Sequence, residues 1–538
     1  MADDFKLKPE SILIIFTAVL ASLLEIVDTS IVNVAIPTMM GNLGATLEDI
    51  SWVVTGYIIA NAIVLPLSAW LGAQIGRRKY YVGCILLFTL ASVACGLAPD
   101  LLTLTIFRVF QGLAGGALLP TSQAMIQEQF PREKAGTASA IYGMSVMIGP
   151  TIGPTLGGYL TDNYGWRMIF NINLPLGILA AALAFRYVKS APKPVAPEPV
   201  LDPVTGLMKT VEFKKPKIDT IGLALLCVGI GCLQFVLERG QADEWFDSVP
   251  IRVCSLLAAL AIPGFIWWEL KVEAPIINIR LFKNAFVRSG TLLMTALGFM
   301  LYGLVFILPV FVGRVMNFSA TQTGMLFIPG ALLTAMCMPV VGALIRKRDP
   351  RVLILFGILT IECMLFMLTQ FGAETGEPQV FRALLVRGLA MAFLFVPINA
   401  VVLGQFRGQE LGQVSGLLNL SRQLGGSIGI ALISTLLERN SHQNYVELAS
   451  HVSLLNPQTR MAIAGTQQGM GSKLMSELGL TTMNNTALKA ISYRIQQQVF
   501  LMSFTQMIWI VLIIFGFALV PLALMKKPAK VTGPVEAH

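Results

Sequence analysis

Two carboxylates, Glu25 and Asp28, stand three residues apart inside an apolar run that begins near Ser11. On a helix that spacing puts both on one face. Each ionisable group in hydrocarbon costs roughly 2.5–3.5 kcal/mol by insertion scales, so residues of this kind mark function by default. A carboxylate in a dehydrated site can load and release a proton, and Asp28 is the stronger candidate of the two. The plain alternative is a carboxylate paired with an arginine for structure alone. Arg108, with Gln111 one turn on and Gly112, Gly115 and Gly116 beyond it, is a candidate partner or tuner of that site. It does not itself deprotonate. Glu362, Arg387 and Arg422 are the remaining charges deep in apolar runs, each read as lining a cavity or satisfying a neighbour. His442 and His451 are nine apart with no third ligand, so no metal site is expected. No Gly-x-x-x-x-Gly-Lys-Ser/Thr phosphate loop occurs, so a proton gradient rather than ATP is the expected energy source and no cofactor is expected.

These residues need a scaffold that holds them in hydrocarbon. The 538 residues are 55% hydrophobic and 13% charged, against about 25% charged in soluble domains, so the chain reads as an all-α polytopic membrane protein. Runs long enough to cross a core of about 30 Å fall near 11–34, 50–71, 80–98, 101–126, 137–160, 167–187, 219–237, 250–270, 288–312, 323–345, 352–370, 382–404, 411–437 and 500–525, fourteen in all. With the N-terminus inside, 26 of the 39 Lys and Arg fall on the inner side and 10 outside, which places both ends in the cytoplasm. That pattern accounts for the net charge of +9 without nucleic acid. The seven cysteines form no Cys-x-x-Cys pair and read as small apolar residues. Methionines and phenylalanines such as Met294, Met364, Phe299 and Phe366 read as a soft wall for apolar ligands or, more simply, as core.

The stretch Gly143 to Gly158 is the densest in Gly and Pro. Gly149, Gly153 and Gly157 recur every four residues and make a smooth stripe where another helix can approach closely, while Pro150 and Pro154 are tolerated only inside a membrane. A shift of 276 residues carries Phe130, Gly136, Ser139, Ser145, Gly149 and Gly153 onto Phe406, Gly412, Ser415, Ser421, Gly425 and Gly429. Such a parallel repeat implies two six-helix halves with the substrate path between them. The expected organisation is a six-helix half (1–188), a Pro- and Lys-rich cytoplasmic linker (189–218), two inserted helices (219–270), helices nine to thirteen (271–437), a long outside loop (438–499) carrying short amphipathic helices, a last helix (500–525) and a tail (526–538).

The residues resemble the major facilitator superfamily, in its fourteen-helix drug:proton antiporter branch of the EmrB/QacA type, most like the permease subunit of a tripartite multidrug efflux system. Leu24 to Pro37 is similar to the branch's first-helix motif, Leu104-x-x-x-Arg108-x-x-Gln111-Gly112 to its fourth-helix motif, and Gly149-Pro150 with Gly153-Pro154 and Gly157-Gly158 to its antiporter motif. Gly76, Arg77 and Arg78 match the cytoplasmic loop motif, whereas Ala73 stands where many members carry aspartate and Ala69 where they carry glycine. The resemblance implies a proton-coupled exporter of hydrophobic or amphiphilic compounds, with Asp28, Glu25, Arg108 and Gln111 in proton coupling. It implies a bacterial inner membrane, a periplasmic membrane-fusion adaptor and an outer-membrane channel. A symporter importing a nutrient or siderophore shares the fold and is the alternative.

Overall fold

The computed structural model describes residues 7–189, 200–201, 208–209, 219–273, 275–451, 461 and 480–526. Most of the linker, the middle of the outside loop and the tail therefore lie outside the described residues, as do the side chains of His451 and of residues 480–491. Apart from a two-residue ladder, Val200–Leu201 against Met208–Lys209, the described chain is helical.

The first half comprises α1 (Pro9–Leu43), α2 (Leu47–Ile50), α3 (Trp52–Ile75), α4 (Arg77–Leu97), α5 (Leu101–Gly115), α6 (Leu118–Glu128), α7 (Ala135–Tyr164), α8 (Met168–Asn171) and α9 (Asn173–Tyr187). An inserted hairpin, α10 (Thr220–Arg239) and α11 (Val249–Lys271), follows. The second half comprises α12 (Ala285–Val315), α13 (Ala320–Leu344), α14 (Pro350–Thr369), α15 (Glu377–Leu403), α16 (Gly408–His451), α17 (Leu480–Gly516) and α18 (Leu519–Leu524). Among the described residues, thirteen helical stretches are long and apolar enough to cross a membrane. The fourteenth expected span is α7, whose Gly, Pro, Ser and Thr dilute its hydropathy but whose 30 residues lie between α1 and α13.

The face at which α1 starts is called lower here, the opposite face upper. The glycine stripe of α7 lies on α1. A Cβ on Gly153 would land on the Ser30 hydroxyl, one on Gly149 would strike Ile26, and one on Gly157 would come within 2.8 Å of the Ile31 carbonyl. α7 runs unbroken through Pro150 and Pro154. The second half repeats the arrangement, with Gly425 and Gly429 of α16 against the backbone of Thr295 and Phe299 on α12. Small residues thus set the closest helix approaches in both halves, as they do where lipid supplies no hydrophobic drive.

Two seams join the halves. In one, Gly136 of α7 meets Gly342 of α13 backbone to backbone; in the other, Gly412 and Gly416 of α16 meet Ala69 and the Leu65 carbonyl of α3. Gln123 on α6 donates to Asn399 on α15 at 2.6 Å, and these residues are 276 apart, so a repeat-related pair meets itself on the axis between the halves. Arg407 donates to the carbonyls of Gln127 and Phe130 at the lower end of α6, 3.2 Å each. The halves are pressed together on the lower side.

The region above α16 differs from the expected short amphipathic helices. α16 continues without a break to His451, 44 residues, and α17 begins at Leu480. At 1.5 Å per residue α16 is about 66 Å long, roughly twice the hydrocarbon thickness. Asn444 on its projecting part donates to Ser503 on α17 at 2.9 Å and so ties the two helices together. The polar spacing of 438–451 extends a helix already nucleated below it, which costs less than starting a new one.

Candidate functional site

Asp28 lies on the α1 face turned into the first half and is fully buried. Its Oδ2 receives Arg108 Nη1 at 2.6 Å; its Oδ1 receives Gln111 Nε2 and Asn173 Nδ2, each at 2.8 Å. Arg108 reaches it from α5, whose start is fixed by Asp100 accepting from the Thr103 N–H at 2.9 Å and the Thr103 hydroxyl at 3.0 Å. Those bonds hold the Asp100 carboxyl below the usual range, so the cap stays charged. The Arg108 guanidinium also donates to the Val53 carbonyl and the Gln111 amide oxygen and lies 4.2 Å from the Tyr57 ring centroid. Close approach of α3 makes this possible: a Cβ on Gly112 would strike the Tyr57 carbonyl. Asn173 donates in turn to Ser92 at 3.0 Å. Four helices, α1, α4, α5 and α9, thus converge on one carboxylate whose charge is matched by one guanidinium. Isolated charges do not survive in such a site, whereas paired and fully hydrogen-bonded ones do.

Glu25 is held differently. It accepts from Asn61 Nδ2 of α3 at 2.8 Å and from the Leu119 N–H of α6 at 3.2 Å, with no guanidinium in bonding range. The residue after Leu119, Pro120, accepts from Ser415 of α16 at 3.0 Å, so Glu25 is bonded to α6 where that helix meets the other half, on the helix that carries Arg422. Arg422 is 3% exposed, donates through Nη2 to Asn419 at 3.0 Å, and leaves Nε and Nη1 without a hydrogen-bond partner. Asn419 links it to the first half, accepting from Tyr142 Oη at 3.0 Å and donating to Gln123 Oε1 at 2.6 Å; Ser415 donates to the same oxygen at 2.7 Å. Gln123, Tyr142, Asn399, Ser415 and Asn419 are site residues that sequence reasoning passed over. Their mark in the sequence is a neutral polar residue inside an apolar span, and Ser415 is also one of the residues that recur in the repeat.

The other expected residues separate. Glu362 is not brought to the path between the halves; α14 packs on α15 and α17 at the outer flank of the second half, where Glu362 Oε1 has no hydrogen-bond partner. Arg387 sits between α13 and α15, 5.9 Å from the Phe327 ring, inside the second half. In the loop motif, Gly76 takes φ +97, which favours glycine, and lets α4 start directly with Arg77. Arg77 pairs with Glu128 of α6 at 2.6 Å, within the first half. Arg78 lies 4.4 Å from the Phe185 ring. With Ala73 carrying no charge, the lower contact between halves is made instead by Arg407 on the carbonyl end of α6, where the helix dipole favours a cation. Gly158 has only Val34 near it and is not part of the tight stripe.

A buried ion pair inside one half, a carboxylate without an ion pair, a half-satisfied arginine at the division and a parallel repeat gather charged groups of the interior at and beside the junction of the halves. Known proteins agree. The chain is 33% identical over 459 residues to "Multidrug export protein EmrB" of Escherichia coli (strain K12), covering 84% of this chain and 85% of that one. It is 32% identical over 511 residues to "Fatty acid resistance protein FarB" of Neisseria gonorrhoeae, covering 95% and 94%. Among solved structures it resembles the proton:xylose symporter XylE, with TM-score 0.55, 14% identity and 81% and 90% of the two chains covered, a likeness of fold. The Major Facilitator Superfamily profile matches residues 18–430, more than half of the chain, and the protein is a multi-pass membrane transporter belonging to that superfamily.

Proposed function

We propose that this transporter is a proton-coupled exporter of hydrophobic and amphiphilic compounds in a bacterial inner membrane. The reading is supported by relatives named for multidrug export and fatty acid resistance, and one observation carries the mechanism: Asp28 is ion-paired within its half, while Glu25 has no ion pair and bonds α6 where that helix meets α16 of the other half. Proton arrival at Asp28 weakens its hold on Arg108 and loosens α1 from α5 and α9. Proton arrival at Glu25 removes a negative charge beside the division, where Arg422 Nε and Nη1, which have no partner, can donate to a substrate's polar group. The lower face carries Arg77 to Lys79, Arg132, Lys134 and Arg346 to Arg351, which supports its assignment to the cytoplasm and both termini with it. The projecting α16 and α17 offer a surface on which a periplasmic adaptor, leading to an outer-membrane channel, can dock.

The test is flux in inside-out vesicles. Acidifying the lumen should drive a lipophilic cation dye inward, and a protonophore should abolish the movement. Dye moving the other way under the same gradient would make the protein an importing symporter, and no coupling would end the proposal.

A further inference from the structure

The two seams between the halves are related by the repeat, yet they are finished differently. Along the α3/α16 seam lies the inserted hairpin: Phe235 of α10 stacks on Trp52 at 5.7 Å, Gly231 lies on Ile63, Gln234 donates to Ser427 at 2.6 Å, and Trp245 donates to Thr435 at 3.2 Å. Along the α7/α13 seam nothing in the described chain covers the upper half. A cleft of about 490 Å³ opens there, between Ile148, Ile152, Leu156 and Tyr159 on one wall and Ile328 and Leu332 on the other. Moving the α7 wall by 276 residues gives Leu424, Ile428, Leu432 and Thr435 on α16; Leu424 and Thr435 meet the hairpin there, while Ile428 stays exposed. The hairpin's apolar and aromatic side chains cover part of one copy of this groove, and nothing among the described residues does so for the other.

We infer that the α7/α13 cleft is a lateral site for the single hydrocarbon chain of an amphiphilic substrate. The dimensions favour one chain. From Ile148 to Tyr159 the cleft follows α7 for about 16 Å, half the thickness of a hydrocarbon core, and its volume over that length gives a cross-section of about 31 Å², too narrow for the two chains of a phospholipid. Below Ile148 it ends where Gly143 meets Met338 and Phe395 and the seam closes. Its walls are apolar except for the Thr155 hydroxyl, which is buried without a hydrogen-bond partner, and the Tyr159 ring at the upper mouth. A tail in the cleft would leave its head at the upper interface, near those two groups. The hairpin crowds the equivalent route on the far side, so lateral exchange favours the α7/α13 side.

The inference rests on the amphiphile-export reading, but its test needs no gradient, so either can fail alone. In a background with all seven cysteines replaced, a fluorophore is placed at Leu332→Cys in the cleft rim or at Leu359→Cys on the lipid face of α14. The probe is stearic acid carrying a nitroxide. A tail leaving lipid gains no hydrophobic free energy, so preference comes from packing and head contacts, and the label at 332 should be quenched at about tenfold lower probe fraction than that at 359. Ala331→Phe, and separately Ile152→Phe on the facing wall, should erase the difference while leaving the 359 label unchanged. Equal quenching at both positions, or equal preference for nitroxide-labelled phosphatidylcholine, would overturn the assignment.

Discussion

Replacing Asp28 by Asn tests whether the Asp28–Arg108 pair is more than a girder. The substitution keeps the size of the side chain and leaves an acceptor for Gln111 or Asn173, but Arg108, 1% exposed, is left as an uncompensated charge. Breaking one partner of a buried pair costs about 3–5 kcal/mol, so the single variant should unfold at lower temperature and any loss of transport would be ambiguous. Removing the second charge resolves this. In Asp28→Asn/Arg108→Gln no charge is stranded, and most of that cost should return, a coupling well above the ~0.5 kcal/mol within which independent sites add. Thermal unfolding of the purified proteins gives the coupling. Dye exchange without a gradient and gradient-driven dye accumulation, both in proteoliposomes, give the function. The double variant should exchange dye at a substantial rate yet accumulate none. Accumulation at the wild-type level in the double variant would refute the proton role and leave Asp28 a structural residue.

Three further outcomes follow from the packing. Gly153→Ala should cost about 1–3 kcal/mol through collision with Ser30, and Ser30→Gly in the same chain should restore most of it in thermal unfolding. Arg407→Met removes two hydrogen bonds from a part-exposed guanidinium to the end of α6; at about 1 kcal/mol the lower closure should shift roughly fivefold, read as faster labelling of a cysteine at Ala140 from the lower side. Pro154→Ala should raise uncoupled leak of dye from loaded proteoliposomes more than it lowers the yield of folded protein, since α7 is already continuous through that position.

Spans and repeat could be read in the sequence because both are one-dimensional signals: length of apolar run, and residues recurring at 276. Asp28 with Arg108 could be read because charge in hydrocarbon is rare. Asn173 joins that site through α9, far along the chain, and Asn is common enough in spans to pass unremarked. Glu362 looked equivalent to Arg422 because depth in a span does not reveal which way a helix face points. α14 turns that face to the flank; α16 turns it to the division. The helical spacing of 438–451 was legible, but its continuity with α16 was not, because a polar helix continuing an apolar one shows a break in hydropathy.

The length of α16 gives this transporter a pointer. One helix begins near Ala69 at the lower closure, carries Arg422 about a third of the way along and ends at His451 beyond the bilayer. A tilt of about 10° around its lower contact would sweep the tip by about 11 Å over a 66 Å rod. A partner resting on that tip would be displaced by such a tilt without touching substrate or proton.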